Sequence, residues 1–175
     1  MSVNFKGNPV DLKGNVLEVG AKAPKVSLKA KDLSPVEIAK EDKVQIVLTM
    51  PSLDTPVCAS EAREFNQKIA AFKGAEVIVV SMDLPFAMGR FCSTENIDNL
   101  VVASDFVAKE FGEKYGVLIA NGALEGLLAR AVFVIKDGKI AYKELVKEIT
   151  EMPNFEAIEE FFKDSGSCCG SCGCQ

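Results

Sequence analysis

The sequence predicts a three-layer α/β fold built around a central mixed sheet. Two apolar runs, Lys43–Met50 and Glu76–Met82, are rich in β-branched residues, as expected of strands buried on both faces. Between them, apolar residues recur at spacings of three and four, which indicates a helix with one apolar face. This apolar stripe consists of Ala62, Phe65, Ile69 and Phe72. A strand, a helix and a second strand in this order form a βαβ unit.

Shorter elements are predicted before this unit. Gly7-Asn8-Pro9 separates two alternating stretches, which together read as an N-terminal β-hairpin. Short strands are predicted at Val26–Lys29 and Val36–Ile38, with a turn around Ser34-Pro35 between them.

Further short elements follow the unit. Leu84–Phe91 reads as a short helix that ends just before Cys92, Leu100–Ala103 as a strand and Phe106–Tyr115 as a helix. The Gly-rich stretch over residues 116–126 reads as a loop.

The last predicted elements are a hairpin and a helix. Ala131–Ile135 and Ile140–Val146 flank an Asp-Gly pair that suits a tight turn. The final helix carries an apolar stripe of Phe155, Ile158, Phe161 and Phe162. The order of elements indicates a thioredoxin-like type of α/β fold. We predict one domain over residues 1–164 and a flexible Gly/Ser/Cys-rich tail over residues 165–175.

Composition and charge exclude several classes of partner. Apolar residues make up 48% and charged residues 26% of the chain, which is ordinary for a globular protein. The net charge of −5 argues against nucleic acid or an anionic membrane surface as the main partner. The chain contains no secretory signal and no apolar run long enough to span a bilayer. We therefore expect a cytoplasmic protein, whose cysteines do chemistry rather than form structural disulfides.

The 175 residues include no histidine. This absence excludes Ser-His-Asp triads, Cys-His thiol proteases, HExxH metalloproteases and mixed Cys/His zinc sites. Any nucleophile in this chain must be activated without imidazole.

Cys58 is the strongest candidate nucleophile. It lies just after a buried strand, at the predicted start of a helix, where free backbone N–H groups and the helix dipole favour a thiolate. Thr55 is close enough for its hydroxyl to bond the sulfur or a bound oxygen, and Pro51 can shield the sulfur from water. The alternative is a buried structural cysteine, because free cysteine often behaves as a small apolar residue.

The segment PSLDTPVCASEAREFN, residues 51–66, resembles the P-x-x-x-T-x-x-C active-site motif of peroxiredoxins. The match is closest to the thiol peroxidase subfamily of atypical 2-Cys peroxiredoxins. Three further segments support this resemblance: FKGNPV at residues 5–10, SMDLPFAMGRFC at 81–92 and ARAVFVI at 129–135. Together they extend the resemblance over nearly the whole chain up to Lys163.

The resemblance implies a role for each matching residue. Cys58 would be the peroxidatic cysteine, oxidised by hydroperoxide to a sulfenic acid, and Cys92 the resolving cysteine that forms a disulfide with it. Pro51, Thr55 and Arg130 would bind the substrate, and the Arg130 guanidinium would also stabilise the thiolate and the charge on the leaving oxygen. The alternative for Arg130 is a simple salt bridge to an acidic side chain.

The resemblance also implies the substrates and partners. The chain would reduce hydrogen peroxide and organic hydroperoxides in antioxidant defence, be recycled by thioredoxin and form a homodimer. No metal, flavin or haem is required. The family tends to favour alkyl and lipid hydroperoxides. Leu84, Phe86 and Met88 either line a surface for such substrates or are ordinary core residues.

Other functions remain open on the sequence alone. A redox sensor would use Cys58 and Cys92 without steady turnover, and a thioredoxin-fold binding module would have no turnover at all. A dithiol oxidoreductase is disfavoured, because no Cys-x-x-Cys begins at Cys58. The tail cysteines could bind a metal, relay electrons or have no fixed role. They are Cys168, Cys169, Cys172 and Cys174.

Overall fold

A computed structural model describes residues 1–68, 72 and 74–165. Ile69 of the predicted apolar stripe and the four tail cysteines lie outside the described residues, as does the predicted tail beyond Ser165. The strands are β1 (Ser2–Phe5), β2 (Asn8–Lys13), β3 (Val26–Ala30), β4 (Pro35–Ile38), β5 (Val44–Thr49), β6 (Ala75–Ser81), β7 (Val101–Ser104), β8 (Leu118–Ile119), β9 (Ala131–Lys136) and β10 (Lys139–Leu145). The helices are α1 (Pro56–Lys68), α2 (Pro85–Glu95), α3 (Glu110–Lys114) and α4 (Phe155–Ser165).

The centre of the fold is a seven-stranded mixed sheet in the order β10-β9-β5-β6-β7-β3-β4. Strands β5, β6 and β7 run parallel, and β9 pairs antiparallel with β5. The carboxyl ends of the three parallel strands therefore meet at one edge of the sheet. The loops that leave this edge carry the predicted active-site motif and the segment leading to Cys92.

The side chains of the central strands alternate between two hydrophobic clusters, one on each face of the sheet. Ile46 belongs to the cluster that contains Phe65 of α1 and Ile158 of α4. Val47 belongs to the other cluster, together with Phe111 of α3. Helices thus cover both faces, and the predicted three-layer α/β arrangement is confirmed.

Both predicted hairpins are present. The N-terminal strands β1 and β2 pair antiparallel with the register Val3↔Val10. On its other side β2 pairs antiparallel with β8, so the three strands form a separate small sheet in the order β1-β2-β8. In the β9–β10 turn, Asp137 and Gly138 both adopt the left-handed conformation, with φ of 51° and 69°. Asp-Gly tolerates two successive positive φ values, which a tight hairpin turn demands.

Three local predictions were wrong. Helix α2 does not end before Cys92 but continues to Glu95, where Asn96 in the left-handed conformation closes it. Helix α3 begins at Glu110 rather than Phe106, because the carboxylate of Asp105 accepts the N–H groups of Phe111 and Gly112 and thereby fixes the start of the helix. The predicted loop over residues 116–126 contains the short strand β8. Among the described residues, no helix combines the length and apolar character needed to cross a bilayer.

Candidate active site

Cys58 is the third residue of α1 and is fully buried. The chain leaves β5 at Thr49, crosses a short loop and enters the helix at Pro56, whose fixed φ suits the first helical turn. The carbonyl of Thr55 accepts the N–H of Ala59 at 3.0 Å, which closes that first turn around Cys58. The thiol therefore lies at the N-terminal end of the helix, as predicted.

Arg130 meets Cys58 directly. Its Nη2 lies 3.2 Å from the Cys58 Sγ, and Arg130 is only 1% exposed. The register of β9 against β5 pairs Ala131 with Thr49, so Arg130 lies beside the point where the chain turns toward Cys58. The Thr49 hydroxyl donates to the Ala129 carbonyl at 2.7 Å and further fixes this backbone.

The guanidinium is held at two other points. Its Nε donates to the Ile149 carbonyl at 3.0 Å, and its Nη1 forms an ion pair with the Glu61 carboxylate. The alternative role of Arg130, a salt bridge to an acidic side chain, is therefore present in the structure as well. The same guanidinium also donates to the Cys58 sulfur.

Glu61 was missed by the sequence analysis. It follows Cys58 by one helical turn and is fully buried, with Oε2 bonded to Arg130 and Oε1 without a hydrogen-bond partner among the described residues. Burial raises the pKa of Glu61 to about 7, although the Arg130 charge opposes this shift. The sequence feature that could have indicated Glu61 as a site residue is its position three residues after Cys58, which places both on the same face of the helix.

Thr55 and Pro51 line a cavity of about 270 Å³ together with Arg130. The Thr55 hydroxyl donates to the Ser52 carbonyl at 3.0 Å, rather than to the sulfur. Most of the cavity wall is apolar. The remaining lining residues are Phe5, Lys6, Pro56, Val57, Leu124, Ile149 and Thr150. Of the five predicted site residues, Pro51, Thr55 and Arg130 line this cavity, and Cys58 contacts Arg130. The fifth is Cys92.

Cys92 does not join this group directly. It is 2% exposed on α2, in the same hydrophobic cluster as Cys58 but on a different helix, and both thiols are free. Burial raises the pKa of the Cys92 thiol, which makes it a poor nucleophile while α2 is in place. The two thiols thus lie on different helices, and both are buried.

The candidate site thus consists of a free thiol at a helix start, a guanidinium in contact with its sulfur, and a small, mostly apolar cavity lined in part by that guanidinium. The sequence model of the Redoxin family matches residues 18–159. The chain therefore belongs to the Redoxin family, and within it to the thiol peroxidases, as its relatives show.

Two curated relatives illustrate the similarity. The thiol peroxidase of Campylobacter jejuni is 77% identical over 172 residues, covering 98% of each chain. The thiol peroxidase of Helicobacter pylori strain 26695 is 45% identical over 163 residues, covering 92% of this chain and 98% of the relative. A crystal structure of a peroxiredoxin-like protein from Aquifex aeolicus is 53% identical, with a TM-score of 0.89 and coverage of 93% and 96%. The predicted fold class, family and enzyme class are confirmed.

Proposed function

We propose that the chain reduces hydrogen peroxide and organic hydroperoxides through Cys58, with Cys92 as the resolving thiol and thioredoxin as the reductant. The observation that carries this proposal is the 3.2 Å contact between Arg130 Nη2 and Cys58 Sγ. A guanidinium remains protonated at any physiological pH, so it stabilises the thiolate without the histidine that the chain lacks. A dithiol reductant belongs to a reducing compartment, which supports a cytoplasmic location.

In the first step, the Cys58 thiolate attacks one oxygen of the peroxide and the O–O bond breaks. The sulfur gives up two electrons and becomes a sulfenic acid, while the other oxygen leaves as water or an alcohol after gaining a proton. Arg130 stabilises the charge that develops on the oxygens, and Thr55 and Pro51 bound the space in which the peroxide lies. Glu61 and the Ile149 carbonyl hold the guanidinium in position.

In the second step, the Cys92 sulfur attacks the sulfenic sulfur of Cys58, water leaves and a disulfide forms. The dithiol of thioredoxin then reduces this disulfide. Because Cys92 is buried on α2, the attack requires this helix to loosen locally.

The apolar cavity wall supports organic hydroperoxides as substrates. Phe5 and Leu124 face the cavity beside Thr55 and can contact an alkyl group. Of the three residues considered from the sequence, Met88 is fully buried core, whereas Leu84 and Phe86 are exposed. None of the three lines this cavity, so the alkyl group would contact other residues.

The test of this function is NADPH consumption in the presence of thioredoxin, thioredoxin reductase and a hydroperoxide. We expect steady turnover with hydrogen peroxide and with cumene hydroperoxide. A protein that oxidises once and does not turn over with this or any dithiol reductant would instead be a redox sensor.

Replacement of Cys92 with serine should stop cycling but leave the first step intact. We expect consumption of about one equivalent of peroxide per chain, after which Cys58 remains a sulfenic acid, because the part of the chain that the structure describes then holds no second thiol to resolve it. Labelling with a dimedone-type reagent followed by mass spectrometry measures this state. The matched control replaces Cys168, Cys169, Cys172 and Cys174 with serine and should cycle normally. Sustained turnover by Cys92→Ser would contradict the assignment and make the tail the resolving arm.

We also propose that the chain forms a homodimer through the apolar side chains exposed near the carboxyl ends of β6 and β7. Phe86 is 70% and Val107 68% exposed, and Leu84 and Phe106 lie beside them in the chain. Because β6 and β7 are adjacent and parallel, the loops that follow them share one edge of the sheet. Exposed apolar patches of this kind mark interfaces.

A charge at Phe86 should dissociate this dimer. We expect Phe86→Glu to be monomeric at micromolar concentration, because a buried carboxylate without a partner strongly opposes association. Light scattering after size-exclusion chromatography gives the mass. Val19→Glu is the matched control, since Val19 is 61% exposed outside these two loops. If the parent protein is monomeric, or Phe86→Glu remains dimeric, this surface is not the interface.

A further inference from the structure

Asp83 lies between β6 and α2 and binds the loop that precedes Cys58. Its carboxylate accepts hydrogen bonds from the Ser52 hydroxyl and from the Leu53 N–H, both at 2.7 Å. The Ser81 hydroxyl donates to the same carboxylate at 2.7 Å, so both oxygens have partners. Hydrogen bonds to an ionised acceptor are about twice as strong as neutral ones. The loop before Cys58 is therefore held mainly by a residue of another segment.

The backbone of Asp83 fixes the start of α2. The Asp83 carbonyl accepts the Ser104 hydroxyl at 2.5 Å, and the Asp83 N–H donates to the Ser81 hydroxyl at 3.2 Å. The helix begins two residues later, at Pro85, and its N-cap residue Leu84 offers no side-chain cap. The position of this helix start therefore depends on the contacts of Asp83 rather than on a cap of its own.

Asp83 thus joins the two segments that carry the cysteines. Through its side chain it holds the loop that precedes Cys58. Through its main chain it holds the start of α2, the helix that carries Cys92 two turns further on. The Arg130 contact with Cys58 involves none of these hydrogen bonds, so the loop and the thiol are held by separate contacts.

We propose that Asp83 is a positioning residue that makes the loop before Cys58 and the start of α2 open together rather than independently. While its bonds are intact, Thr55 and Pro51 are in place at the cavity and Cys92 remains buried. When they break, the loop and the helix start are released in one event. This inference rests on the proposed role of Cys92 as the resolving thiol.

Hydrogen exchange on the reduced, full-length protein tests the coupling without any peroxide chemistry. Asp83→Asn keeps the shape of the side chain but removes its charge and one acceptor oxygen. We expect amide exchange to become roughly tenfold faster both in residues 51–57 and in residues 84–95, the scale of one or two lost hydrogen bonds to a charged group. Faster exchange in only one of these segments, or in neither, would overturn the proposal.

Ser52→Ala provides the sharper variant and does not depend on the folding of Asp83→Asn. It removes two bonds of the Ser52 hydroxyl, the donation to Asp83 at 2.7 Å and the acceptance from the Asp54 N–H at 3.2 Å. Neither bond is made by a residue of α2, yet the proposal requires faster exchange in residues 84–95 as well. Asp54→Asn is the matched control in the same loop and should change neither segment. Val47→Ala, in the opposite cluster, lowers global stability and should not accelerate these two segments more than the rest of the chain.

A kinetic measurement then separates this inference from the proposed function. After one equivalent of peroxide, Asp83→Asn should form the Cys58–Cys92 disulfide several-fold faster than the parent protein, on the same scale of lost hydrogen bonds, while its reaction with peroxide slows. A parent protein that forms no such disulfide would refute the resolving role of Cys92. A parent that forms it at the same rate as Asp83→Asn would refute only the coupling.

Discussion

Cys58→Ser should have no measurable peroxidase turnover with any hydroperoxide. A serine hydroxyl is not ionised near neutral pH, and the guanidinium 3.2 Å from the sulfur cannot convert it into an effective nucleophile. The replacement is nearly isosteric, so the thermal unfolding curve should stay close to that of the parent. Peroxide consumption in the thioredoxin-coupled assay and in a single-turnover assay gives the result.

The two cysteine variants check each other. Cys92→Ser retains the first equivalent of peroxide consumption, whereas Cys58→Ser should retain none. Substantial turnover by Cys58→Ser would remove Cys58 from the catalytic site and leave the contact with Arg130 without a chemical role.

Arg130→Lys should lower the second-order rate constant for peroxide reduction by roughly 10- to 100-fold. The guanidinium donates simultaneously to Cys58, Glu61 and the Ile149 carbonyl from one rigid plane. An ammonium keeps the charge but cannot reach all three in this geometry, and its attraction to Glu61 would draw it away from the sulfur. Stopped-flow kinetics with the reduced protein measures the first step directly.

Arg63→Lys is the matched control for this variant. Arg63 also contacts an acid, with its Nε 2.6 Å from Glu95 of α2, but the side chain is 45% exposed. An exposed ion pair contributes little, so the rate should be unchanged. Equal rates for Arg130→Lys and the parent protein would contradict the catalytic role of Arg130.

The fold and the main members of the site could be predicted because their signals are local. Apolar runs fixed the buried strands, and the motif placed Pro51, Thr55 and Cys58 in the loop and helix start that follow β5. Arg130 was predicted from the resemblance carried by the segment at residues 129–135. The pairing of β9 with β5 then brings this residue to the thiol.

Glu61 and Asp83 were not predicted as members of the site, because an acid in a helix or turn normally faces solvent. Their burial and contacts depend on partners distant in sequence: Arg130 lies 69 residues from Glu61, and Leu53 lies 30 residues from Asp83. These partners are adjacent to the two acids only in the folded protein, so the sequence alone does not show them. The position of Cys92 inside α2 was also not predicted, because the sequence analysis ended this helix at Phe91 whereas it continues to Glu95.

The separation of 72 positions in the chain between Cys58 and Arg130 has a consequence for the newly made protein. Cys58 leaves the ribosome well before Arg130, and the two meet only after β9 has docked beside β5. If Arg130 activates Cys58 as proposed, a chain in which β9 has not docked lacks the activating charge, and high reactivity toward peroxide requires a complete central sheet.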